Sequence, residues 1–93
     1  MADANTPYQK PSGTVRAGVW STGCSNNWHF TAYLESSRWH GWATDQEMRW
    51  SGNGSRTMSA ACTGVHDHRV RIQWDNGSTT GEATYGTARL HCG

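Results

Sequence analysis

From Thr14 onward, apolar and polar side chains alternate with period two, the pattern of strands half-buried against a core. Val15, Ala17 and Val19 alternate with Arg16 and Gly18. Trp28, Phe30, Ala32 and Leu34 then alternate with His29, Thr31, Tyr33 and Glu35. Met58, Ala60 and Cys62 share one face of a later stretch, as do Val70, Ile72 and Trp74, and finally Ala88, Leu90 and Cys92. Turn chemistry separates these runs at Ser21–Asn27, at Ser51–Gly54 and at Asp75-Asn76-Gly77, where Asn-Gly between two strand patterns calls for a type I′ hairpin. Arg38–Trp50 is less regular. Asp45-Gln46-Glu47 reads as a helical turn, whereas Trp39, Trp42 and Trp50 suit strand edges. Residues 1–13 carry Pro7, Pro11 and Gly13 among polar residues and read as a flexible arm. The expected fold is therefore all-β, a small antiparallel sandwich or barrel of about six strands over residues 14–93.

Composition explains how so short a chain closes a core. The chain has 93 residues, enough for one domain that buries about 60 to 65% of its unfolded surface. It contains one Ile and two Leu but six Trp, three Tyr and one Phe, so a few large rings must supply the bulk. Trp28 and Trp74 lie on apolar strand faces and are expected in the core. Trp20 shares the Arg16 and Gly18 face and is expected to be more open.

Charge narrows the partners. Eight Lys and Arg against seven Asp and Glu leave a net charge of +1, with no run of one sign, so neither nucleic acid nor an anionic surface is an expected partner. No apolar run reaches the length of a membrane span. Ala2-Asp3-Ala4 has the small-x-small look of a cleavage site, and the chain reads as a mature domain preceded by a supplied Met1.

Cys24, Cys62 and Cys92 are too far apart for a CxxC metal or redox motif. In a thin-cored β domain they predict one disulfide and an oxidising compartment, hence a secreted protein, extracellular or periplasmic. The expected bridge is Cys24–Cys62, with Cys92 free or bonded to a partner near the chain end; the rival pairing is Cys62–Cys92.

Three clusters carry candidate chemistry. Arg38, Trp39, His40 and Trp42 fall where periodicity breaks, and two tryptophans three residues apart on extended chain cannot both face one core. Flat rings left outside bind side chains, sugars or bases by stacking, so this segment is the first candidate surface. Arg69 and Arg71 alternate with Val70 and Ile72 on one outward face, where their guanidinium forks suit a partner's carboxylates. His66 and His68 share a strand face and resemble half of a metal site, with His29, His40 or His91 as a third ligand, but a polar hairpin between Val65 and Val70 accounts for them better, and no metal or cofactor is expected. Asn53-Gly54-Ser55 and Asn76-Gly77-Ser78 are formal glycosylation sequons that sit where turns already demand Asn-Gly.

No G-x-S-x-G, HExxH, P-loop or dinucleotide fingerprint occurs, and the carboxylates are spread singly. The expectation is a non-enzymatic binding module for a protein partner, either an inhibitor or a subunit of a secreted or toxin-like assembly. A carbohydrate-binding, lectin-like module is the alternative, and a small secreted enzyme a more distant one.

Overall fold

A computed structural model describes residues 2–9 and 13–92, which form two antiparallel sheets and no helix. Met1, Lys10, Pro11, Ser12 and Gly93 lie outside the described residues. Eight strands follow in chain order: β1 Ala2–Ala4, β2 Tyr8–Gln9, β3 Thr14–Ser21, β4 His29–Arg38, β5 Gly41–Ser51, β6 Gly54–Ala61, β7 Val65–Asp75 and β8 Thr80–His91. In the first sheet β3 is central, with β6 along one edge and β1 and β2 in tandem along the other. The second sheet runs β5-β4-β7-β8. The two stack as a sandwich.

The period-two faces meet between the sheets. Val15, Ala17, Val19 and Met58 from the first sheet face Ala32, Leu34, Val70 and Ile72 from the second, all 0% exposed. β3 alternates throughout, β4 as far as Leu34 and β7 from Asp67 to Gln73, because each is central, with one face on the core and the other toward solvent.

The structure departs from the sequence expectation in four places. The segment read as an arm carries β1 and β2, both hydrogen-bonded along β3, which raises the strand count from six to eight. Arg38–Trp50 contains no helical turn. It is a two-residue hairpin loop followed by β5, and the register shifts between Leu34 and Glu35, leaving Asp45 as the extra residue of a β-bulge. The β7–β8 loop holds four residues, since Asp75 pairs with Thr80, and Asn76 does not take the positive φ of a type I′ turn. Its Oδ1 instead accepts from the backbone N–H groups of Ser78 (3.0 Å) and Thr79 (2.7 Å).

The fourth departure is the disulfide, which joins Cys62 to Cys92 and not Cys24 to Cys62. Cys62 follows β6 where that strand pairs with the start of β3, and Cys92 follows β8 where it pairs with the start of β7. Their Cα atoms are 5.6 Å apart, within the range a bridge spans. Cys24 follows the far end of β3, so roughly 25 Å of strand separates it from Cys62. With Cys92 inside the bridge, a partner tethered through that thiol is excluded.

Candidate functional site

The candidate surface is built at the end of the sandwich that holds the disulfide. Arg38 ends β4 and pairs with Gly41, so Trp39 and His40 form the tip of the β4–β5 hairpin. Gly41 takes φ 124°, a value L side chains rarely adopt, and this lets the strand return after only two loop residues. The tip has nothing behind it: Trp39 is 96% exposed. The His40 ring meets it edge to face, with centroids 5.1 Å apart at 81°.

Trp42 lies beyond the tip on the outer face of the second sheet, 36% exposed, with the Arg69 guanidinium 4.0 Å over its ring. Arg69 Nε donates to Glu35 Oε1 at 2.8 Å and Arg71 Nε to Glu35 Oε2 at 3.1 Å. Arg71 also reaches Glu82 and lies 4.2 Å over the Tyr33 ring. The Glu82 hydrogen bond raises the Arg71 pKa and lowers that of Glu82 below the usual carboxylate range. Both guanidinium groups thus face outward as expected, but each already holds a carboxylate of this chain. They form a fixed ladder of rings and charges, Trp42–Arg69–Glu35–Arg71–Glu82 with Tyr33 beside it.

Arg38 is engaged as well. It donates to His66 Nε2 at 2.9 Å and lies 3.8 Å from Asp45. His66 Nδ1 donates to the Ser37 carbonyl at 2.8 Å, so the pair of contacts selects the Nδ1–H tautomer. Both ring nitrogens of His66 are therefore occupied. Its ring stands edge-on to His68 with centroids 6.4 Å apart, and no group of three or more potential metal-ligating side chains occurs among the described residues.

His68 itself is 1% exposed and packs on the interior face beside Ser36, its cross-strand partner. Neither ring nitrogen of His68 nor the Ser36 hydroxyl has a hydrogen-bond partner among the described residues, so the two are not linked to each other. Burial lowers the His68 pKa, the nearby Asp45 opposes that shift, and His66 and Arg38 add to it.

At the opposite end the sheets part around a cleft that the sequence did not single out. Trp28, Phe30, Trp74 and Tyr85 wall it, with Ala2 and Cys24 closing its ends, and its volume is about 310 Å³. Trp28 and Trp74 are half-buried because one face of each lines this gap. Their apolar-face positions were legible as core, but the gap depends on where the other sheet stops.

Comparison with protein-family profiles, with curated proteins and with solved structures gives no match. Among the described residues no helix is long and apolar enough to cross a membrane.

Proposed function

We propose that this chain is a secreted binding module for a protein partner, an inhibitor or a subunit of a secreted or toxin-like assembly, and that it acts by binding, not catalysis. The observation that carries the reading is Trp39, which leaves 96% of its surface in water at a hairpin tip. A chain with so little apolar bulk gains nothing in stability by leaving its largest side chain outside. An indole presented at a hairpin tip is, by contrast, a frequent kind of interface anchor, able to contribute about 2 kcal/mol or more once seated in a partner's pocket.

The surroundings support a protein partner. The Arg69–Glu35–Arg71–Glu82 ladder is a preorganised polar face beside the anchor, with few side chains left to order on binding. The Cys62–Cys92 bridge fits an oxidising compartment and fixes the sheets behind the tip.

The test is capture from culture medium with the immobilised chain, in parallel with its Trp39→Ser variant, followed by affinity measurement on the protein identified. The expected result is one protein retained by the wild type, with affinity at least about tenfold weaker for the variant. Equal retention by both overturns the reading. So does a glycan array that reports a specific sugar while no protein is captured, which would move the module to the carbohydrate class.

A further inference from the structure

The cleft at the other end differs from a packing defect in one respect: the Phe30, Trp74 and Tyr85 side chains that wall it are each held by contacts of their own. Phe30 stacks on Trp50 at 5.3 Å between centroids and 21° between planes, and the Trp50 Nε1–H donates to Ser21 Oγ at 2.8 Å. Trp74 lies across its cross-strand partner Gly81, where any Cβ would overlap the indole, so the glycine holds this ring against the β8 backbone. The Tyr85 hydroxyl donates to the Ala2 carbonyl at 3.2 Å. Trp28 is held through its backbone, donating to Ser25 O at 3.1 Å and accepting from Gly52 N at 2.9 Å. The Phe30, Trp74 and Tyr85 side chains cannot move into the space without giving up these contacts, and a gap whose walls are held is retained.

The chemistry of the lining selects an occupant. Among the described residues no Asp, Glu, Lys, Arg or His lines the cleft, so a charged ligand would lose its hydration and meet no oppositely charged side chain in the wall. Four aromatic rings face the space. The polar side-chain groups are the Cys24 thiol, the indole N–H groups and the Tyr85 hydroxyl, whose pKa is raised by burial and further by Asp3. At about 310 Å³ the volume lies at the small end of ordinary ligand sites, enough for a one- or two-ring molecule.

We propose that this cleft is a binding site for a small uncharged aromatic molecule, held by ring contacts with Trp28, Phe30 and Trp74. The site is separate from the Trp39 surface, because Phe30 stands near the start of the strand that Arg38 ends, roughly 26 Å away at the rise of a β-strand. Its occupancy does not depend on the protein-binding reading.

The test uses the full chain and the neutral two-ring fluorophore 1-aminonaphthalene, with its anionic relative 5-aminonaphthalene-1-sulfonate as the comparison. The expected result is saturable one-to-one fluorescence enhancement with the neutral probe and at least about tenfold weaker binding of the sulfonate, which would have to be desolvated in the cleft. In ¹H–¹⁵N spectra of the unaltered chain, the neutral probe should shift the indole N–H resonances of Trp28 and Trp74 and leave those of Trp39 and Trp42 in place. Cys24→Phe, which places a ring inside the gap, should weaken binding at least tenfold if circular dichroism shows it folded; if it does not fold, the indole shifts decide. Absence of saturation, equal binding of the two probes, shifts at Trp39 and Trp42 instead, or undiminished binding by folded Cys24→Phe would each overturn the proposal.

Discussion

At one end of the sandwich the sheets are joined by the Cys62–Cys92 bond, and exposed or polar groups gather near it: Trp39 at the tip, Arg38 between His66 and Asp45, and His68 and Ser36 buried without partners among the described residues. At the other end no covalent link joins the sheets. Trp50, Phe30, Trp28 and Trp74 close it by ring packing, and Ser21 ties Trp50 to Gly52 through its hydroxyl. A thin core can thus be closed in two ways with opposite consequences. The bonded end tolerates an exposed tryptophan and orphaned polar groups, because the bridge offsets what they fail to contribute. The ring-packed end depends on large side chains that do not fill space completely, and it keeps a cleft.

The contrast can be broken most severely at Trp50. Trp50→Ala removes a 7%-exposed ring, the stack on Phe30 and the donor to Ser21, and should cost about 3 to 5 kcal/mol in urea unfolding. A loss below about 1 kcal/mol would mean that ring packing does not hold this end. Next comes the bridge. It closes a 30-residue separation, and the Cys62→Ala/Cys92→Ala double variant should lose about 3 to 4 kcal/mol by the same measurement. Amide exchange should rise first at Val65 and His91, where β7 and β8 begin and end beside it; protection lost first near Trp50 would reverse the assignment of the two ends.

A smaller effect is expected on the outer face between them. Glu35→Gln replaces a carboxylate that accepts from both Arg69 and Arg71 and should cost about 1 to 3 kcal/mol. The fluorescence of Trp42 should change with it, since Arg69 would no longer be fixed over that ring. Unaltered stability would show that the ladder is a solvated surface only.

The bonded end should also carry a mild acid sensitivity. Burial holds the His68 pKa below its ordinary value of 6.5, so the unfolded chain takes up a proton that the folded chain refuses. This contribution is complete above pH 6.5 and is lost as pH falls from there toward the folded-state pKa. Asp45, His66, Arg38 and Asp67 set the surrounding field. Between pH 7.5 and 5 the unfolding free energy of the wild type should fall relative to that of His68→Leu, which lacks the titrating ring; parallel curves would remove His68 from this acid sensitivity.

The central strands were legible because burial on one face and water on the other write period two into the sequence, as in Val15-Ala17-Val19 and Phe30-Ala32-Leu34. β5 was not, because it is an edge strand with only Trp50 buried and a bulge at Asp45 that breaks its phase. β1 and β2 are too short to show a period and exist because β3 offers an open edge. Exposure of the Trp39 segment could be argued from two tryptophans that cannot share a core. The carboxylates facing Arg69 and Arg71 could not be named, since Glu35 and Glu82 reach them through strand order. The disulfide partner followed from the same order: which strand ends meet is a property of topology, not of spacing.

The smallest stability effect belongs to the residue that carries the functional reading. Trp39→Ser should change unfolding free energy by no more than about 0.5 kcal/mol, because the ring supports nothing behind it. Its presentation is tested most directly by a soluble paramagnetic relaxation agent, read on the six indole N–H resonances of the free chain. Among these three, relaxation should be strongest at Trp39, weaker at Trp42 and weakest at Trp50, following their exposures of 96%, 36% and 7%. A Trp39 resonance as protected as that of Trp50 would contradict it, for the hairpin tip would then be packed and not offered to a partner.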